Sequence, residues 1–349
     1  MKLFMKVLSK NRLVEFLDKL SGSFQVIAPI FRRGELVFDN FDPDRSSLEF
    51  KGLTHYSPKE YLFPESETLF TFEITGMGES EAVAIQEHLS NIEILIWGIR
   101  PCDLNAIKVL DAFFLSEPAD PYYQARRART QFFVLNCNEP GINCFCRSLN
   151  AGPFAHDGFA LGFTDLGDEF LVEVGSKVGK ELLEEQNQLF NEPADTQKEI
   201  GRLIEEKCKN QFDNFLAIEK LKANLPFPQV LNSPIWEEQV KKCKVCGTCS
   251  FVCPTCHCFN IEDLKKTKRV VQRMRYWDSC QLSGFTQMAG HNSRPSQTER
   301  WRHKVYDKFF YLPSKFNGLL GCVGCGRCID YCQAGINMFE VLMRIVDEQ

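Results

Sequence analysis

Between residues 24 and 174 the chain alternates short apolar stretches with polar punctuation. The stretches at 24–31, 69–74, 94–100, 131–136, 159–163 and 169–174 predict strands. Residues 81–89 and 103–114 space their apolar positions more widely and predict helices between those strands. At the N-terminus Leu3, Val7, Leu8, Leu13, Phe16, Leu17 and Leu20 recur at helical intervals, which predicts an amphipathic first helix. Strands and helices in alternation predict an α+β or α/β domain over residues 1–175. From 176 the pattern turns charged, with Pro193 and Pro226 as punctuation, and predicts solvent-exposed helices forming a linker over 176–233. In the last stretch, 234–349, helical patterns at 261–277 and 298–310 predict a helical C-terminal domain.

That domain carries the chain's most specific signal. Cys243, Cys246, Cys249 and Cys253, followed by Pro254, have the spacing C-x2-C-x2-C-x3-C, and Cys322, Cys325, Cys328 and Cys332 repeat it. Such a run wraps three thiolates around one cubane and sends the fourth cysteine away, as in ferredoxin domains that bind two 4Fe-4S clusters. By the crossing usual in those domains, Cys243, Cys246 and Cys249 join Cys332 on one cluster, and Cys322, Cys325 and Cys328 join Cys253 on the other. Structural zinc also uses C-x2-C pairs, but it needs one set of four ligands, and here a four-cysteine run occurs twice. The expected architecture is therefore an α+β (or α/β) N-terminal domain followed by a helical two-cluster ferredoxin domain. Residues 254–321, between the runs, are enough chain for several helices.

Composition narrows the function class. A length of 349 residues suffices for two or three domains, each with its own core. A net charge of -5 and a pI near 5.8 give no reason to expect nucleic acid or an anionic membrane as partner. Sixteen cysteines, most at metal-ligand spacing, require free thiolates and predict a reducing, cytoplasmic setting. Lys6, Lys10, Arg12 and Glu15 break up the N-terminal apolar residues, so no signal sequence is expected, and no stretch is long enough for membrane insertion. The insert between the runs holds Lys265, Lys266, Lys268, Arg269, Arg273, Arg275, Arg300, Arg302 and Lys304. They read as a solvated face, as compensation for cluster charge, or as a dock for an acidic partner, because no nucleic-acid motif accompanies them.

The remaining cysteines leave alternatives open. Cys102 ends one predicted strand, and Cys137, Cys144 and Cys146 follow the next, so strand ends bring four thiols to one side of a sheet. They are candidate ligands of a third iron–sulfur cluster, with structural zinc or simple burial as the alternatives. Cys256, Cys258 and Cys280 flank the first run and, with His257 or His291, would make a zinc site or another cluster, or else pack around the first. Cys208 reads as an isolated thiol. Gly76-Met77-Gly78 reads as a tight turn, since a dinucleotide loop would want a third glycine, and Glu79 and Glu81 would repel a pyrophosphate. No local signature marks a nucleophile, so bond-making chemistry on a substrate is not expected.

The segments GIRPCDLNAIKVLD (98–111), DPYYQARR (120–127), the C-x6-C-F-C element ending at Cys146, FTDLGDEFLVEVG (163–175), CPTCHCF (253–259), RYWDSC (275–280) and CVGCGRC (322–328) resemble the iron–sulfur β subunit of cytoplasmic sulfhydrogenases. They are also similar to the A subunit of anaerobic sulfite reductase. The resemblance implies a non-catalytic electron-transfer subunit, placed between a flavoprotein that exchanges hydride with NAD(P)H and a catalytic subunit, either a NiFe hydrogenase or a sirohaem sulfite reductase. A zinc-stabilised interaction protein and a self-contained iron–sulfur enzyme are the competing classes.

Overall fold

The computed structural model describes residues 4–76 and 82–347. Met77, Gly78, Glu79 and Glu81 of the glycine-turn reading lie outside the described residues. The chain opens with β1 (Met5–Ser9), α1 (Leu13–Leu20), β2 (Gln25–Arg32), β3 (Glu35–Asn40), β4 (Ser66–Thr75), β5 (Ala82–Glu87) and β6 (Ile94–Ile99). It continues through α2 (Pro101–Phe114), α3 (Pro121–Ala128), β7 (Thr130–Leu135), β8 (Leu161–Asp165), β9 (Glu169–Val174), α4 (Lys177–Glu185), β10 (Phe190–Asn191) and α5 (Asp195–Asn210). Short helices α6 (Ile218–Asn224), α7 (Pro228–Leu231), α8 (Ile235–Lys242) and α9 (Thr248–Phe251) lead to a hairpin of β11 (Phe259–Lys265) and β12 (Val270–Trp277). The strand pair β13 (Gln287–Met288) and β14 (His291–Asn292), then α10 (Gln297–Tyr306), α11 (Leu312–Lys315), α12 (Arg327–Asp330) and α13 (Met338–Asp347) complete it. Among the described residues no helix is long and apolar enough to cross a membrane.

An eight-stranded mixed sheet runs in the order β10-β1-β9-β8-β7-β6-β2-β3. Its centre, β8-β7-β6-β2, is parallel, and Leu95, Trp97, Phe133, Leu135, Leu161 and Phe163 are buried there, as expected for strands covered on both faces. The carboxyl ends of β6, β7 and β8 are where ligands gather in open sheets of this kind. The chain is thus mixed α/β, with six predicted strands found near their expected positions and α2 where a helix was expected.

Three expectations fail for identifiable reasons. The N-terminal stretch is a helix only from Leu13, where Leu13, Phe16, Leu17 and Leu20 face the core. Before it, β1 pairs with both β9 and β10, and its consecutive buried residues Val7 and Leu8 mimic one side of a helix. Residues 82–87 form strand β5 instead of the expected helix, held by β4 through pairs such as Phe72 with Ile85. Residues 261–277, also expected to be helical, form the β11–β12 hairpin. Branched and aromatic residues at Val270, Val271, Tyr276 and Trp277 favour extended chain, and Arg273 bonds Asp263 directly across the pair.

That hairpin is not confined to the C-terminal part of the chain. β12 pairs antiparallel with β4, giving a second sheet in the order β11-β12-β4-β5. A buried charge cluster fastens it: Arg275 donates to Glu67 at 2.9 and 2.5 Å and also reaches Asp120, while Arg126 pairs with Glu67 at 2.7 Å. Arg275 is only 1% exposed, so it does not belong to the solvated face expected of the basic insert. Replacing Arg275 with Met takes the guanidinium from Asp120 and leaves buried Glu67 with Arg126 alone. We expect this to lower stability by about 3–5 kcal/mol in denaturant titration of the full chain, and a change below about 1 kcal/mol would refute the assigned role.

Candidate metal centres

The two cysteine runs fold alike. In the first, α8 ends at Cys243, the amide of Val245 donates to Cys243 Sγ at 3.4 Å, and α9 carries Cys249. In the second, Gly324 N–H donates to Cys322 Sγ at 3.4 Å and α12 carries Cys328. The chain turns through left-handed backbone at Val245 (φ 55°) and Gly247 (φ 76°), and again at Gly324 (φ 62°) and Gly326 (φ 85°). A β-branched residue with positive φ is costly, and strain of this kind persists where a site demands the turn.

One cavity is lined by Cys243, Cys246, Cys249 and Cys332, closed on its apolar side by Trp301, Ile336 and Met338. A second is lined by Cys253, Cys322, Cys325 and Cys328. Cys249 and Cys328 reach both, so the two cavities share a wall. Cys246 is the exposed member, and hydrogen bonds from Thr248 pull its thiol down; in the second cavity burial pushes Cys322 up to about 11 and Cys325 up to about 12. Those protons must leave when a metal binds.

The four N-terminal cysteines also come together. Cys102, Cys137, Cys144 and Cys146 all line one open cavity of about 710 Å³ at the carboxyl ends of β6, β7 and β8. Arg100 sets the strand ends: its guanidinium donates to the carbonyls of Phe50 at 2.6 Å, Gly52 at 3.2 Å, Asn136 at 3.3 Å and Leu135 at 3.4 Å. Burial raises all four thiols, Cys144 to about 11. This cavity abuts the second run. Phe145 N–H donates to the Gly324 carbonyl at 2.9 Å and Cys144 Sγ lies 3.6 Å from the Cys325 carbonyl. Arg327, between Cys325 and Cys328, makes a buried ion pair with Asp103, the residue after Cys102, at 2.6 and 2.8 Å.

Cys256, Cys258 and Cys280 form contacts of a different kind. The Cys256 thiol hydrogen-bonds Cys253, and Cys258 hydrogen-bonds Cys280. His257 keeps its Nδ1 against the Thr255 carbonyl at 3.1 Å and packs at a tilt against Phe113, while His291 is exposed in β14. Cys208 is fully buried in α5.

The residues fit iron–sulfur clusters. Thiols are the donor set such clusters require. Buried cations also converge on the same cavities. Lys304 and Lys308 line the second, and the Lys304 ammonium is buried with no hydrogen-bond partner in the protein. An uncompensated interior ammonium calls for an anion, and a thiolate-ligated cluster is one.

Comparison with known proteins agrees. Residues 242–336 match the family described as a 4Fe-4S dicluster domain. Over 331 residues, 94% of each chain, the protein is 32% identical to sulfhydrogenase 2 subunit beta of Pyrococcus furiosus (strain ATCC 43587 / DSM 3638 / JCM 8422 / Vc1). The chain belongs to this iron–sulfur β-subunit family.

Several residues beside these cavities escape a reading of the cysteines. Lys59 donates to the carbonyls of Cys253 at 2.9 Å and Cys256 at 3.1 Å, with its ammonium 4.1 Å over the Trp277 ring. Arg300, Lys304 and Lys308 recur every four residues beside buried Trp301, Val305 and Phe309, and that proximity of cations to a buried stripe is the one signal in the sequence. The contact between the second run and the Cys-Phe-Cys loop is tight enough to test. A Cβ on Gly324 would sit 2.7 Å from the Cys146 nitrogen, on backbone with positive φ. Gly324→Ala should therefore cost about 1–3 kcal/mol and lower the iron content of anaerobically purified protein. Unchanged stability and iron would mean that the loop yields freely.

Proposed function

We propose that the protein is an electron-transfer subunit that relays single electrons between an NAD(P)H-linked flavoprotein and a catalytic subunit, a NiFe hydrogenase or a sirohaem sulfite reductase. The observation that carries this reading is the contiguity of the three cysteine-lined cavities. The relative's name, a sulfhydrogenase subunit, supports the hydrogenase as partner and supports assembly with other subunits.

Cys243, Cys246, Cys249 and Cys332 would hold one 4Fe-4S cluster, and Cys322, Cys325, Cys328 and Cys253 the other. Cys102, Cys137, Cys144 and Cys146 would hold a third. When bound, such clusters supply one-electron oxidation and reduction. The chain's own groups hold and shield them. The amides of Val245 and Gly324 donate to the leading cysteine of each run, Ile336 N–H donates to Cys332 Sγ at 3.3 Å, and Trp301, Ile336 and Met338 keep water from one side. Hydrogen bonds to ligand sulfur are a standard means of adjusting potential.

Anaerobically purified protein should contain about eight iron atoms for the two C-terminal clusters and about twelve with the third. Cys246→Ala should remove one set of EPR signals and spare the rest, and Cys144→Ala should lower total iron by about four atoms. Colourless, zinc-loaded protein would overturn the reading, and unchanged iron in Cys144→Ala would remove the third cluster from it.

A second expectation concerns activity. Dithionite should reduce the isolated chain, which should nevertheless show no NAD(P)H oxidation, hydrogen uptake or sulfite reduction until the other subunits are added. Turnover by the lone chain in any of these assays would make it an enzyme in its own right.

A further inference from the structure

α10 runs into a π-helical turn at Asp307–Tyr311, a feature often found at functional sites. Lys304, in the last turn of α10, and Lys308, in the π turn, both line the cavity of Cys253, Cys322, Cys325 and Cys328. They are 2% and 6% exposed. The Lys308 ammonium donates to Thr255 Oγ1 at 2.8 Å and the Gly321 carbonyl at 3.0 Å, and lies 3.5 Å from Cys253 Sγ. The Lys304 ammonium has no hydrogen-bond partner among the protein atoms. Among the described residues neither lysine makes an ion pair with a carboxylate. The cavity of Cys243, Cys246, Cys249 and Cys332 meets the Lys304 charge through Cys249 on the shared wall, but the lysine that lines it among the described residues, Lys244, is exposed, and Cys246 faces solvent.

Adding an electron to a group that already carries negative charge is disfavoured in a low-dielectric interior, and a fixed positive charge beside it offsets that penalty. We propose that Lys304 and Lys308 form a buried cationic pair that raises the reduction potential of the cluster held by Cys253, Cys322, Cys325 and Cys328 above the value its burial alone would impose. The pair acts through charge and touches no substrate. The inference rests on the ligation proposed above.

The test is an EPR-monitored potentiometric titration of the full chain, with iron measured on the same samples and the second cluster identified as the signal that survives both Cys246→Ala and Cys144→Ala. Lys304→Met and Lys308→Met should each move that midpoint downward. At a fixed ambient potential the ratio of reduced to oxidised cluster should fall about tenfold, or about 59 mV for a one-electron couple. Lys304→Arg and Lys308→Arg, which keep the charge, should stay close to the native midpoint. Full iron with an unmoved midpoint in both Met variants overturns the inference. So does iron loss in Met and Arg variants alike, which marks a packing role. Iron loss confined to the Met variants also overturns it, because the charge then holds the cluster in place instead of setting its potential. Native protein without iron fails earlier and overturns the ligation itself.

Discussion

The pair of Arg327 with Asp103 is the contact on which the arrangement of the sites depends. Both side chains are 1% exposed, and two parallel hydrogen bonds join them, with further donation from Arg327 to the Thr54 carbonyl at 2.8 Å. Taking two charges out of water is expensive, and removing either partner leaves the other stranded. Such a pair is a poor source of net stability but a strict specifier of register. Here the register is between two cysteine sites, because Asp103 follows Cys102 at the start of α2 and Arg327 precedes Cys328 at the start of α12. Gly324 and Gly326 complete the fit: a Cβ at either would lie within 3.0 Å of the backbone around Asn143 to Cys146.

Charge compensation governs the rest. Buried carboxylates, carbonyl oxygens and thiols gather in the interior, and the fold answers with cations that sequence patterning would assign to the surface. Arg275 balances Glu67 and Asp120, Arg300 donates to the carbonyls of Gln281, Arg294 and Pro295, and Lys59 caps two carbonyls of the cysteine-rich loop. Of the readings open for the basic insert, compensation fits Lys304, whereas Arg273, bound to Asp263 on the hairpin, does belong to an exposed face. One stretch of chain thus serves both ends, and charge alone does not separate them.

What was legible in the sequence follows from the range of the forces involved. The cysteine runs were legible because cluster ligation imposes fixed local spacing, and the central strands because burial on both faces makes Ile94 to Ile99 uniformly apolar. Helix α2 was legible from its own periodicity. The β11–β12 hairpin was not, because β12 takes its place through pairing with β4, some two hundred residues earlier, and its outward charges imitate a solvated helix. β5 was lost similarly: every residue in it is exposed, so no buried face marks it as a strand. The convergence of Cys102, Cys137, Cys144 and Cys146 was foreseeable from strand ends, but their contact with the second run was not, since it depends on Arg327 finding Asp103.

The spatial order of the three cavities differs from their order along the chain. In sequence the Cys102 to Cys146 group comes first, then the run at Cys243, then the run at Cys322. In space the second run lies in the middle: it shares Cys249 and Cys328 with the first run's cavity, and it meets the Cys-Phe-Cys loop through Phe145 and Gly324. The fourth cysteines, Cys253 and Cys332, each leave their own run to line the other's cavity, which locks the two together. On the proposed ligation, the middle position is the one buried among lysines, while the outer two face an exposed Cys246 on one side and an open cavity on the other. A relay needs contact with the outside at its ends and insulation at its centre. The fold meets both demands by inserting the last cysteine run between the two that precede it.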